Sequence, residues 1–211
     1  MLSLLVNTTS PYPEISFFYQ NEVFEFRSDV LNSHSQNLII MLDKFLVSEN
    51  LNVSDVDDVY IIVGPGSYTG IRVGISFVLG LKLASSLNVI PVTIFDAVCL
   101  TFKEQDSQSL LMLIDSKKND EYFFSAIDVG KNDENIGVVK KEDIKNLVVN
   151  YDKFLLIGDS ENEFDENKML GLTPLKVKLS AKKIFNYKDS LKALHRPLEP
   201  FYIKNNIFNV K

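Results

Sequence analysis

The run Val59-Tyr60-Ile61-Ile62-Val63-Gly64-Pro65-Gly66-Ser67-Tyr68-Thr69-Gly70 leads into the apolar stretch Ile71 to Leu87. Val59–Val63 is uninterrupted and rich in β-branched residues, which predicts a fully buried strand. The apolar stretch predicts a helix over 71–87, so Gly64, Gly66 and Gly70 fall at a strand-to-helix turn. Glycine there permits positive φ and close backbone approach. The helix that follows directs free N–H groups and its positive dipole end into the turn. Two readings follow. One is a phosphate-facing turn made by Gly64, Gly66, Ser67, Thr69 and Gly70; the other is tight packing of strand on helix. The run lacks both the Gly-Lys-Ser/Thr ending of a P-loop and the Gly-x-Gly-x-x-Gly spacing of a dinucleotide fold. The pattern alone does not choose between them.

Upstream, Leu2–Thr8, Ile15–Tyr19 and Glu22–Phe26 read as strands, with Gln20-Asn21 as a hairpin turn between the last two. A helix is predicted from His34 to Glu49, with Ser33 as N-cap and Gln36 completing a capping box. Val89–Phe95 reads as the next strand, and the polar stretch Lys103–Ser109 as a linker between halves 1–105 and 106–211. In the second half, Leu110–Ile114, Tyr122–Ile127 and Phe154–Ile157 read as strands, and Asn132–Asn135 as a turn. Helical pieces are predicted over Glu142–Val149 and Ala181–Leu194.

A chain of 211 residues with 45% hydrophobic content can bury one large or two small cores. No apolar run approaches the roughly 18 residues of a membrane span. Met1–Val6 lacks a basic flank and a cleavage site, so it reads as a first strand and not a signal peptide. The single cysteine, Cys99, sits among Ala97, Val98 and Leu100 and reads as a buried, inert thiol. It allows no internal disulfide and fits a reducing compartment, so the expected location is the cytoplasm. The net charge of −6 is carried by residues 1–105, with 5 basic and 11 acidic side chains; residues 106–211 hold 17 of each. That balance disfavours direct nucleic-acid binding by the first half. One basic strip, Lys176, Lys178, Lys182, Lys183, Lys188, Lys192 and Arg196, is opposed only by Asp189. It reads either as a solvated face or as a tRNA contact.

The longer string from Gly64 to Gly74, followed by Gly80-Leu81-Lys82-Leu83-Ala84, closely resembles the signature of the TsaB/TsaD family. These are actin-like, glycoprotease-like proteins that help make threonylcarbamoyladenosine next to the tRNA anticodon. Ser33-His34-Ser35 matches a His-Ser at the family's helix start, and Pro200-Phe201-Tyr202-Ile203-Lys204 is similar to its closing Pro-x-Tyr-Leu-Arg. The likeness is strong over residues 1–100 and faint from about Leu110 onward. It implies a two-subdomain actin-like α/β fold, mixed sheets flanked by helices, with a reduced second half.

Set against that family, catalytic parts are missing. Active actin-like enzymes place an aspartate at the end of the first strand, where this chain has Asn7. A neutral amide offers one carbonyl oxygen in place of a charged pair. Asp115, where the family often has Asp-Ala-Arg, reads as a turn carboxylate or a ligand. The family's metal-binding His-x-x-x-His pair maps onto Ala97 and Thr101, which cannot ligate in that manner. His34 and His195 are too far apart in sequence to replace it. Active relatives also carry a paired glycine, whereas here Gly158 stands alone before Asp159, Glu161 and Glu163. No catalytic residue, metal or firmly bound cofactor is expected; ATP or ADP at a subunit interface stays open.

What remains is surface. Leu38, Ile39, Leu42, Phe45 and Leu46 form the core stripe of the first helix, while Ile40 and Met41 add apolar area beside it. Helix 71–87 is apolar nearly all round, which predicts burial on both sides, in an interior layer or against a partner. The paired small residues Gly70/Gly74 and Gly80/Ala84 allow close approach on that helix. The resemblance implies a partner surface of His34, Leu38, Met41, Leu42 and Phe45 with Gly70, Gly74, Phe77, Val78 and Leu81. It implies docking to a TsaD-type catalytic subunit, a TsaE-type ATPase as third partner, a homodimer when alone, and tRNA reached through the complex. The rival class is an active actin-fold ATPase or phosphotransferase, with a metalloprotease behind it.

Overall fold

The computed structural model describes residues 1–31, 33–102, 109–118, 120–128, 133–158 and 175–203. Most of the expected linker, the acids after Gly158, the Thr101 side chain and Lys204 lie outside these. Val56–Gly64 forms β4, in which only Asp57 is exposed. It runs parallel to β1 (Leu2–Asn7) on one side and β5 (Asn88–Thr93) on the other. β2 (Glu14–Tyr19) and β3 (Glu22–Arg27) continue the sheet antiparallel beyond β1, giving the order β3-β2-β1-β4-β5. The Gln20-Asn21 hairpin forms as expected, both residues at positive φ.

Side chains alternate across a strand, so each face of this sheet needs its own cover. Leu4, Val6, Val59 and Ile61 pack against α1 (His34–Ser48) and α2 (Tyr68–Ala84). Phe17 and Phe45 stack there with ring centroids 3.8 Å apart. The opposite face meets α5 (Ala181–Asn186) and α6 (Lys188–Lys192): the Tyr60 and Phe185 rings pack edge to face. The chain therefore leaves this unit and returns to it, and Met1–Ala97 and Ser180–Phe201 form one compact unit. The expected halves, 1–105 and 106–211, differ from this division because the C-terminal helices cover the first sheet.

The second unit is built on Val98–Leu179. Its strands are β6 (Ser109–Lys118), β7 (Glu121–Asp128), β8 (Asp133–Lys140), β9 (Lys153–Ile157) and β10 (Leu175–Val177). Their order, β10-β9-β6-β7-β8, repeats the first sheet strand for strand: two antiparallel neighbours on one side of the opening strand, two parallel ones on the other. This is the two-subdomain actin-like arrangement. The second copy is reduced: α4 (Ile144–Val148) has 5 residues where α1 has 15.

Several local expectations change. Asp133–Asn135 is not a turn but opens β8, because the ladder with β7 overrides turn propensity. The strand after α2 stops at Thr93, and α3 (Ile94–Phe102) begins there. Thr93 Oγ1 accepts from the Asp96 N–H while Asp96 Oδ2 accepts from the Thr93 N–H, a closed capping box. The expected box at Ser33 does not form, since its hydroxyl bonds Val30 and Asn37. Residues 181–194 make two short helices instead of one, and 142–149 a 3-10 turn leading into α4. β10 was not legible in the sequence.

Candidate functional site

The glycine turn is braced from inside the first unit. Gly64 (φ +130) and Gly66 (φ +156) take up backbone conformations that favour glycine. A Cβ on Gly66 would lie 2.6 Å from the Thr9 carbonyl oxygen. The Ser67 N–H donates to that same oxygen at 2.8 Å. Ser67 is also the N-cap of α2, its Oγ accepting from the Gly70 N–H at 3.1 Å. α2 thus starts at Tyr68, three residues before the expected start, and Gly70 lies in its first turn. Thr69 is exposed in that turn. Two of the N–H groups counted toward a phosphate cradle, those of Ser67 and Gly70, are already bonded within the chain.

Gly70 and Gly74 serve the same packing. A Cβ on Gly70 would overlap the Thr8 carbonyl oxygen, and one on Gly74 the Thr8 hydroxyl. These glycines let α2 approach β1, and they do not face a partner helix. His34 is buried too, its Nε2 2.9 Å from the Ser10 carbonyl oxygen, tying the start of α1 to the same loop.

At the positions matched to the family's catalytic groups, the polar side chains bond within the chain. Asn7 Oδ1 accepts from the Thr9 N–H at 3.2 Å and the Thr9 hydroxyl at 2.7 Å, and its Nδ2 donates to Glu14 at 3.1 Å. The amide is engaged on both sides. Asp115 accepts from the Lys117 N–H at 2.7 Å, an Asx turn at the β6–β7 corner. Ala97 is buried. Among the described residues, no three His, Cys, Asp or Glu side chains come together.

The two helices divide differently from the expected surface. His34, Leu38, Met41, Leu42, Phe45, Gly70, Gly74 and Val78 are all buried, and Phe77 and Leu81 are half-buried against the same core. Met41 belongs to the core stripe, while Ile39 lies outside it. The repeat 34-38-41-42-45 at three- and four-residue steps carried that signal. The outward side chains are Ile39, Ile40 and Val47 on α1 and Leu79 and Leu83 on α2, with Leu83 90% exposed. A Cβ on Gly80 would meet nothing within 4 Å. α2 is therefore covered on one side only. Both helices lie on one face of the sheet and touch each other, so their bare faces point the same way.

The basic strip is partly spent inward. Lys192 pairs with Asp58, Arg196 with Asp96, and Lys188 lies over the Phe18 ring. Tyr60 is the buried residue that sequence reasoning passed over. Its hydroxyl has no hydrogen-bond partner among the described residues, and burial together with Asp58 and Asp189 raises its pKa.

Comparison with known proteins agrees with this arrangement. A TsaB (tRNA threonylcarbamoyladenosine biosynthesis protein) of Haemophilus influenzae is 26% identical over 125 residues, 59% of this chain and 53% of that protein. The chain thus spans about half the length of that relative. A TsaB of Buchnera aphidicola subsp. Baizongia pistaciae is 23% identical over 177 residues, 78% of this chain and 77% of that one. In fold, YeaZ from Pseudomonas aeruginosa superposes with a TM-score of 0.69 at 17% identity, covering 96% of this chain and 99% of YeaZ. The family described as TsaD, tRNA N6-adenosine threonylcarbamoyltransferase, matches residues 28–161. That span holds the glycine turn, both bare-faced helices and most of the second sheet, and it is more than half of the chain; the protein belongs to the TsaD family, as a member of the TsaB type.

Proposed function

We propose that this protein is a non-catalytic subunit that binds a TsaD-type enzyme and supports threonylcarbamoyl transfer to tRNA adenosine next to the anticodon. The observation that carries the reading is the set of apolar side chains left exposed on the outward faces of α1 and α2 among the described residues, Ile40, Val47, Leu79 and Leu83. Burying one such side chain contributes about 1.5–3 kcal/mol. Asn7 and Ala97, standing where active relatives carry a carboxylate and a metal ligand, support a non-catalytic role. In this reading the same face makes a homodimer when the partner is absent, a TsaE-type ATPase joins as third subunit, and tRNA is met through the complex. The isolated chain holds no cofactor firmly and does not turn over ATP.

The test is sedimentation of wild type, Ile40→Glu and Leu83→Glu, alone and with the TsaD-type subunit of the same organism. Both variants keep their circular dichroism and lose partner affinity by at least about tenfold, because an unpaired charge is stranded in the contact. Met41→Glu, aimed into the core, unfolds instead. A wild-type chain that ignores the partner, or a Leu83→Glu chain that binds it unchanged, overturns the reading.

A further inference from the structure

The C-terminal motif beginning at Arg196 has no part in the proposed docking face, yet it ends on the glycine turn. The Arg196 guanidinium grips Asp96 with two bonds, Nε to Oδ2 at 3.0 Å and Nη2 to Oδ1 at 2.6 Å. Asp96 is buried and held by the capping box with Thr93, so this end of the tail is anchored to a rigid element. Between Arg196 and Phe201 stand Pro197 and Pro200, each with φ fixed by its ring, and the Glu199 N–H donates to the Pro197 carbonyl at 2.9 Å. A short, stiff arm anchored at one end has little choice where the other end lands. It lands on the turn: the Phe201 N–H donates to the Val63 carbonyl at 2.8 Å. A Cβ on Gly64 would lie 2.7 Å from the Phe201 carbonyl oxygen and 3.2 Å from Ile71 Cδ1. Gly64 is thus clamped between the tail and the first turn of α2, and Leu198 and Phe201 pack against the core beneath.

We propose that Arg196 to Phe201 is a buttress that sets the position of the Gly64–Gly70 turn and the start of α2, with Arg196 as its positioning residue acting through Asp96. Of the turn's own bonds, Ser67 N–H to Thr9 ties it to the loop after β1 and Gly70 N–H to Ser67 closes the cap of α2, while Gly64 itself pairs with Thr93 of β5. The tail adds the Phe201 N–H bond to the Val63 carbonyl, at the point where the β4–β5 ladder shifts register between Ile62 and Gly64. Gly64 is glycine because the tail backbone occupies the space of a side chain.

Amide hydrogen exchange on the full chain tests this, comparing wild type with Arg196→Ala, Arg196→Lys and Phe201→Ala. In Arg196→Ala the Ser67, Gly70 and Ile71 amides exchange at least about tenfold faster, while Phe45 and Leu46 in α1 and Leu113 in β6 stay within about twofold. Arg196→Lys keeps a charge on Asp96 without the fork and recovers part of the protection. Phe201→Ala reproduces the pattern with the ion pair intact, and it carries the test if Arg196→Ala does not fold. Faster exchange confined to residues 196–203 would make the tail a mere passenger. An equal rise throughout the first unit would reduce Arg196 to general stability. Either result overturns the proposal.

Discussion

Lys192 Nζ lies 2.7 Å from Asp58 Oδ2, joining a C-terminal helix to the beginning of the central strand across 134 positions of sequence. Asp58 is almost fully buried and its other oxygen accepts from Asn88 Nδ2 at 3.2 Å, whereas Lys192 is part-exposed. The pair fastens the returning segment to the sheet. Together with Arg196 on Asp96, it turns two of the seven cations of the basic strip inward, away from an outside anion.

Removing one partner leaves a carboxylate buried without its cation. Lys192→Met is expected to lower stability by about 2 kcal/mol, below the usual cost for a fully buried pair because Lys192 is partly solvated. The double variant Lys192→Met/Asp58→Asn recovers a part of that loss. Urea unfolding of wild type, Lys192→Met, Asp58→Asn and the double variant measures both numbers; a fully additive double variant would show that the two residues do not interact.

Tyr60 supplies the pH dependence. Burial, then Asp58 and Asp189, hold its phenol above the ordinary value of 10, and burial and Asp128 do the same for Tyr151. Below pH 10 each is protonated in both states. Above it the unfolded chain loses the proton while the folded chain keeps it, so stability falls as pH rises, by at most about 1.4 kcal/mol per pH unit for Tyr60, with Tyr151 acting in the same direction. Tyr60→Phe removes one such slope and, since the hydroxyl has no hydrogen-bond partner among the described residues, leaves neutral-pH stability unchanged or higher. Denaturant midpoints between pH 8 and 11 (about the working range for tyrosine) check the sign and the difference.

Two glycines of one helix are expected to respond in opposite directions. Gly74→Ala drives a methyl into the Thr8 hydroxyl and costs about 1–3 kcal/mol. Gly80→Ala enters open space on the bare face and gains roughly 0.5–1 kcal/mol from helix propensity. Thermal unfolding of the two variants reads the contrast directly; equal shifts would refute the close approach of α2 to β1.

What could be read from the sequence was whatever neighbouring residues enforce on one another. A buried β-branched run, glycines at positive φ and the 3.6-residue stripe of α1 all act within a few positions. They made β4, the turn and the body of α2 legible from the chain alone, while the actin-like order was what the family resemblance implied. Thr93-x-x-Asp96 is a local signal of the same kind, masked by the apolar run that continues past it. Other features could not be found that way. The neighbours of Gly64, Gly70 and Gly74 are Phe201 and Thr8; the partners of Asp58 and Asp96 are Lys192 and Arg196. The pairings of Phe201, Lys192 and Arg196 depend on where the chain returns to this sheet after residue 179. Only tertiary structure decided that Leu83 turns outward, that α5 and α6 complete the first unit, and that the glycines admit the chain's own backbone. The physical reason is that side-chain burial and long-range ion pairs are set by what covers a surface, and here the cover lies about a hundred or more residues away along the chain.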